Sequence, residues 1–244
     1  MTHVILQEYY ENQPNDMFIN YAKQYSDMPF VIMLDEDENG YKAGRFLRAS
    51  DLGMSGENNE WKPVIQDKLS QQLLVPNGTM GQRWEEGKKW NLKLETEDGT
   101  PIDPMLSMVE SDYHVETIQF PYFDSSGDGI FERPIATRTI QLANGEEVKI
   151  ATVYDLMTSQ YGVQRFEHEL EAISYDDASS KYTPAWQEQI TGIKKELVTK
   201  VAKEFAQNAI DTGGRSMIIM GAGINHWFNS DTIYRSILNL VLLC

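Results

Sequence analysis

A chain of 244 residues with 41% hydrophobic and 24% charged content holds enough apolar material for a full core, as one large domain or two small ones. Its formal net charge of -16 argues against a nucleic-acid or anionic-membrane surface, because phosphate binding draws most of its energy from Lys and Arg. The single cysteine, Cys244, excludes an internal disulfide framework or a cysteine-ligated iron–sulfur cluster made by this chain alone. No apolar run approaches the ~20 residues of a membrane span and the first residues lack a signal-peptide pattern, so the chain reads as reduced, intracellular and soluble.

Helical spacing opens the chain: Val4, Ile5 and Tyr9, then Phe18, Tyr21, Ala22 and Tyr25 after a break at Pro14, with residues 12–16 supplying the turn and a cap. Residues 30–34 read as a strand. The acidic run from Asp35 to a glycine, Gly40, reads as a turn into a partner strand at 41–47. From 50 to 150 turn signals dominate, and the alternating runs 137–142 and 147–153 predict a two-residue hairpin at Asn144 and Gly145. This middle stretch reads as an irregular β-containing insertion whose long loops suit contacts with other protein. Helical periodicity returns at 153–161. A short helix follows with Thr183 as its cap, Pro184 at its first position and Gly192 at its end. Residues 194–209 place Leu197, Val201, Ala202, Phe205 and Ala209 on one face, and Gly213 and Gly214 stop that helix.

The terminal stretch carries the most chemistry. Residues 216–220, Ser-Met-Ile-Ile-Met, are a short apolar run between breakers, as in a strand buried within a parallel sheet. Gly221 and Gly223 let the backbone turn sharply. Asn225, His226 and Trp227 would then lie past the carboxyl end of that strand, where open α/β sheets place ligands. Asn229, Ser230 and Asp231 each suit the N-cap of a helix at 232–243, which stops one residue before the last, as if cut from something larger. A glycine pair without the third glycine of the dinucleotide fingerprint leaves two readings open, a cofactor-facing loop or a structural strand-to-helix turn.

Other motifs weigh less. The runs beginning at Asp35 and Asp124 match half a calcium loop, but Phe46 and Ile135 stand where the bidentate Glu belongs, so both read as acidic turns. Asn77 heads a glycosylation triplet without a secretion signal. His3, His114 and His168 have no second ligand at metal spacing, and Trp61, Trp84 and Trp90 read as core or interface packing. The hydrolase nucleophile elbow, the phosphate loop and the zinc-protease helix motif do not occur.

Set together, the stretch from Thr183 to Gly192, the helix ending Ala-Lys-Glu-Phe-Ala and the run from Gly214 to Trp227 resemble the molybdopterin oxidoreductases. The Asn-His-Trp form resembles the catalytic alpha subunit of membrane-bound respiratory nitrate reductases. The likeness extends to Tyr25-Ser-Asp-Met-Pro, the stretch from Gly44 to Leu52, Val75-Pro-Asn-Gly, Lys89-Trp-Asn-Leu, Phe120-Pro-Tyr-Phe, Thr152-Val-Tyr-Asp-Leu and Tyr161-Gly, and so spans nearly the whole chain. It implies an α/β fold, part of a three-layer αβα cofactor-binding domain with its β-containing insertion at 51–150 between 1–50 and 151–244.

The resemblance further implies a parent enzyme reducing nitrate to nitrite by oxygen-atom transfer. Its cofactors would be a molybdenum bis(molybdopterin guanine dinucleotide) and a 4Fe-4S cluster, and its partners an iron–sulfur beta subunit and a membrane gamma subunit at the cytoplasmic face. The cluster-binding segment, the aspartate ligand of molybdenum and a further glycine-rich loop would lie outside these residues, so this segment alone would bind no cofactor and be inactive. Carried over residue by residue, Gly221, Gly223, Asn225 and His226 correspond to the cofactor-facing turn, with His226 the catalytic candidate and no metal ligand among them. Chlorate and perchlorate reductases use related subunits. A reading of a different class, a free-standing α/β binding or interaction module, predicts no redox role.

Overall fold

The computed structural model describes residues 1–121, 129–172 and 174–244. The turn expected around Asp124 and part of the Phe120-Pro-Tyr-Phe motif fall outside the described residues. In chain order the helices are α1 (Thr2–Leu6), α2 (Asp16–Tyr25), α3 (Val153–Gln160), α4 (Pro184–Thr191), α5 (Lys195–Thr212), α6 (Ala222–Asn225) and α7 (Ser230–Leu243). The strands are β1 (Val31–Asp37), β2 (Gly40–Phe46), β3 (Ile65–Gln66), β4 (Leu73–Leu74), β5 (His114–Pro121), β6 (Ile130–Gln141) and β7 (Glu147–Thr152). The fold is mixed α/β with a β-containing middle, and it divides into two units, one of residues 23–160 and one of residues 1–22 with 161–244.

In the first unit β1, β2, β5, β6 and β7 close a small barrel. β1 and β2 form a hairpin, β5 to β7 an antiparallel meander, and β1 closes onto β7 with Val31 opposite Thr152. One parallel contact, Tyr41 opposite Ile118, joins the two sets. Ile118, Ile135, Ile150, Val31 and Ala136 are fully buried, and closure leaves the sheet no free edge. The acidic turn is tighter than expected. Asp35 to Asp37 continue β1 with exposed side chains, and only Glu38 and Asn39 turn the chain, with the Asn39 amide donating to Asp37 Oδ1 at 2.9 Å. The second hairpin is longer than expected: Gly145 N–H donates to Leu142 O at 2.9 Å and Leu142 N–H to Glu146 O at 2.8 Å, which makes a three-residue loop with Gly145 at φ +86°.

A fully buried carboxylate ties the barrel to its flanking loop. Thr152 caps α3: its Oγ1 accepts from Asp155 N–H at 3.0 Å, and Asp155 Oδ2 accepts from Thr152 Oγ1 at 2.8 Å. The same carboxylate accepts from Ser107 Oγ at 2.6 Å and Met108 N–H at 2.9 Å. Gln66 offers the opposite case. Its side chain is 0% exposed, and among the described residues neither end of its amide has a hydrogen-bond partner.

In the second unit Asn15 Oδ1 caps α2 by accepting from Met17 and Phe18 N–H. Thr183, Pro184 and Gly192 bound α4 in the expected roles, with Thr183 Oγ1 accepting from Trp186 N–H at 3.1 Å and Gly192 at φ +72°. On α5 only Ala202, Ala206 and Ala209 are buried. The expected apolar face is therefore half wrong: Leu197 and Val201 are exposed, because the contacts of α5 run along its alanine stripe. His3 is a packing residue, with Nδ1 2.6 Å from Tyr161 O and its ring edge-on to Tyr175. His168 Nδ1 accepts from Leu170 N–H. In the first unit Trp61, Trp84 and Trp90 are exposed and not core; the rings of Trp61 and Trp84 lie 5.8 Å apart.

Candidate functional site

The approach to the terminal segment is set by how α5 ends. Gly213, at φ +69°, donates to Ile210 O at 3.4 Å, and Gly214, at φ +85°, donates to Ala209 O at 2.7 Å, the two bonds of a Schellman cap. Ser216 is then tied back to the helix: its Oγ donates to Phe205 O at 2.7 Å and accepts from Asn208 Nδ2 at 3.0 Å.

Residues 216–220 do not form the expected strand. Their side chains alternate as a strand's would, with Ser216, Ile218 and Met220 half-buried and Met217 and Ile219 75% and 84% exposed. Among the described residues no strand pairs with them, so the extended backbone has no ladder and the apolar run has no second layer. Local sequence provides the alternation. The buried position needs neighbours on both sides.

Past this run, Gly221 is extended (φ -122°, ψ -175°) and caps α6, a single turn that ends at His226. Gly223 lies inside that turn. Neither glycine has a positive φ, and a Cβ at either would meet nothing within 4 Å. The chain's own packing therefore does not require glycine there. Asn225 Oδ1 accepts a hydrogen bond from the Tyr234 hydroxyl, which steadies the turn against α7. His226 is exposed, and among the described residues its ring has no hydrogen-bond partner. Trp227 and Phe228 stand beside it, Phe228 completely exposed.

Helix α7 begins at Ser230 with Asn229 as N-cap, but without a side-chain capping bond. Its far end is firmly held: Leu243 is fully buried, Tyr10 donates to Leu243 O at 2.9 Å and Asn239 Nδ2 donates to the Tyr161 hydroxyl oxygen at 2.9 Å. Burial pushes the Tyr10 hydroxyl above its ordinary range and the Cys244 thiol up to about 12, so both stay protonated near neutrality. Nearby, burial works to raise the Glu8 carboxyl, but hydrogen bonds from Lys203 and Tyr175 outweigh it and hold it below its ordinary value.

The structure thus brings Gly221, Gly223, Asn225 and His226 together on one exposed turn, bordered by apolar side chains and standing on an anchored helix. Its chemical resources are a neutral amide, an imidazole and open space over two glycines. Among the described residues no group of three or more His, Cys, Asp or Glu side chains could hold a metal ion. No helix among them is long and apolar enough to cross a membrane. The exposed aromatic and aliphatic border was not anticipated; the only hint of it was that an apolar strand in this position would need partners.

No protein-family profile matches the chain. Individual proteins do. Over all 244 residues it is 54% identical to the nitrate reductase alpha chain of Bacillus subtilis, and the match covers 20% of that protein. It is 40% identical to the respiratory nitrate reductase 1 alpha chain of Escherichia coli, again over the whole chain and 20% of the relative. The perchlorate reductase subunit alpha of Dechloromonas aromatica is more distant, 23% identical over 97% of the chain and 19% of the relative. The chain spans about a fifth of the length of the curated relatives it matches.

Proposed function

From the premise that this chain belongs to the nitrate reductase alpha-chain family, we propose that it is a segment of the catalytic subunit of a molybdenum-dependent enzyme that reduces nitrate to nitrite. The observation that carries the reading is 54% identity over every residue of the chain, against 23% to a perchlorate reductase subunit, which favours nitrate as the oxyanion. In this reading residues 1–50 and 151–244 belong to the cofactor domain and 51–150 to its insertion.

The residues present fit a pterin cofactor at one point. Gly221 and Gly223 are unexplained by backbone conformation or by packing within the chain, and the space above them is what a close-lying planar group would require. A molybdenum ion held by two molybdopterin guanine dinucleotides would supply the oxygen-atom transfer, re-reduced through iron–sulfur clusters that include a 4Fe-4S cluster of the same subunit. Gly221 and Gly223 would admit the cofactor against the backbone. Asn225, oriented by Tyr234, and His226 would hydrogen-bond to it, so that His226 tunes the site without ligating the metal. The apolar border formed by Met217, Ile219, Trp227 and Phe228 would be covered by the rest of the subunit and keep water out. A beta subunit bearing iron–sulfur clusters and a membrane-anchored gamma subunit, placing the enzyme at the cytoplasmic face, complete the proposed assembly.

The test is His226→Ala in the full-length subunit, with molybdenum content and viologen-linked nitrate reduction measured together. Turnover should fall about tenfold or more at normal molybdenum content. Wild-type turnover in a fully metallated variant would overturn the assignment of His226.

A further inference from the structure

The unit of residues 23–160 contains a cavity of about 480 Å³ that includes none of the residues assigned above. Phe30, Phe46, Trp90 and Leu92 give it an apolar wall, and Arg48 and Thr79 contribute polar groups. Its size and lining are those of a small-molecule site, mostly apolar with a few placed polar groups.

Gln24, Ser26, Asp27 and Asn91 add further polar groups to the lining, and among them all Arg48 carries the positive charge. Among the described residues the Arg48 guanidinium makes one long hydrogen bond, 3.5 Å to Trp61 O, and stands over the Phe46 ring at 5.4 Å. Asp51, the nearest carboxylate in sequence, is already taken by Arg45 through two 2.7 Å bonds. Burial and the neighbouring Arg45 hold Arg48 below its ordinary pKa, with Asp51 acting in the opposite direction. Asp27, also at the cavity, is solvent-exposed and opposes an anion only through screened charge.

The wall is built before any ligand arrives. Asn91 N–H donates to Gly78 O and Lys93 N–H to Asn77 O, both at 2.9 Å, which pins the segment carrying Trp90 and Leu92 to the segment carrying Thr79.

We propose that this cavity binds a planar aromatic carboxylate: the ring packs among Phe30, Phe46 and Trp90, and the carboxylate pairs with Arg48. The probe is 2-naphthoate, titrated into the 244-residue chain and followed by heteronuclear NMR at Trp90, Asn91 and Leu92. Binding should be about tenfold or more tighter than for the uncharged 2-naphthamide, and Arg48→Gln should abolish that preference while keeping the wild-type melting temperature. Shifts mapping elsewhere, or a variant that binds as the wild type does, would overturn the proposal. So would binding by the chain that is lost in the full-length subunit, since the cavity would then belong to a segment of polypeptide and not to a free molecule.

Discussion

Two glycine turns in this chain look alike in sequence and behave differently in space. In the first, Val75-Pro-Asn-Gly-Thr-Met-Gly, Gly78 holds φ +80° and a Cβ there would sit inside the Asn91 carbonyl. The Gly78 N–H donates to Gln82 Oε1, and a Cβ on Gly81 would come within 2.5 Å of Lys62 Cγ. In the second, Gly221-Ala-Gly223, neither conformation nor packing demands glycine. A glycine required by the chain's own fold is read from that fold. One that the fold leaves unexplained points to something outside it, which is why Gly221 and Gly223 carry the functional reading and Gly78 does not.

Gly78→Ala should do the most damage, because strain from a positive φ adds to a clash with backbone that cannot rotate away. About 3–5 kcal/mol of stability should be lost, read by chemical denaturation; a loss below about 1 kcal/mol would mean that the two turns do not differ as described. Asp155→Asn comes next. The amide would turn an –NH₂ toward donors now satisfied by a buried carboxylate, at about 2–4 kcal/mol, with α3 and the Ser107 loop showing the first loss of hydrogen-exchange protection. Gln66→Met should go the other way. Its amide is buried without a partner, so an apolar side chain of similar length should stabilise by about 1–2 kcal/mol; a destabilised variant would show that the amide has a partner after all.

The smallest effect on the isolated chain should come from the second turn. Gly221→Ala and Gly223→Ala should change stability by no more than about 1 kcal/mol, and at 223 in the stabilising direction, since alanine suits a helical turn better than glycine. In the full-length subunit the same substitutions should lower molybdenum retention and turnover. If they destabilise the isolated chain as Gly78→Ala does, the contrast between the turns disappears, and with it the support for a cofactor-facing loop.

Much of the local structure was legible. Thr183, Pro184 and Gly192 bound a helix because each satisfies or omits a backbone bond at its own position. Gly213 and Gly214 end α5 for the same kind of reason. The candidate turn was legible as a cluster, and its likeness to nitrate reductase alpha chains followed from short motifs spread along the chain. Long-range pairing was not legible. Nothing local announces that β2 meets β5 in parallel across more than seventy residues, or that β1 closes onto β7. Leu197 and Val201 matched an apolar pattern and the three exposed tryptophans were read as core or interface packing, but pattern and residue type say which side chains could be covered and not what is there to cover them.

By itself the sequence determined where helices start and stop, where the chain reverses and which family it resembles, because caps, turns and motifs are arrangements of residues close in the chain. Tertiary structure alone decided that the barrel closes, that the Asp155 carboxylate is satisfied and the Gln66 amide is not, and that residues 216–220 lie extended without a ladder. Those outcomes depend on groups that meet only after distant segments pack, and the energy of burial or of a strand ladder exists only when both partners are present.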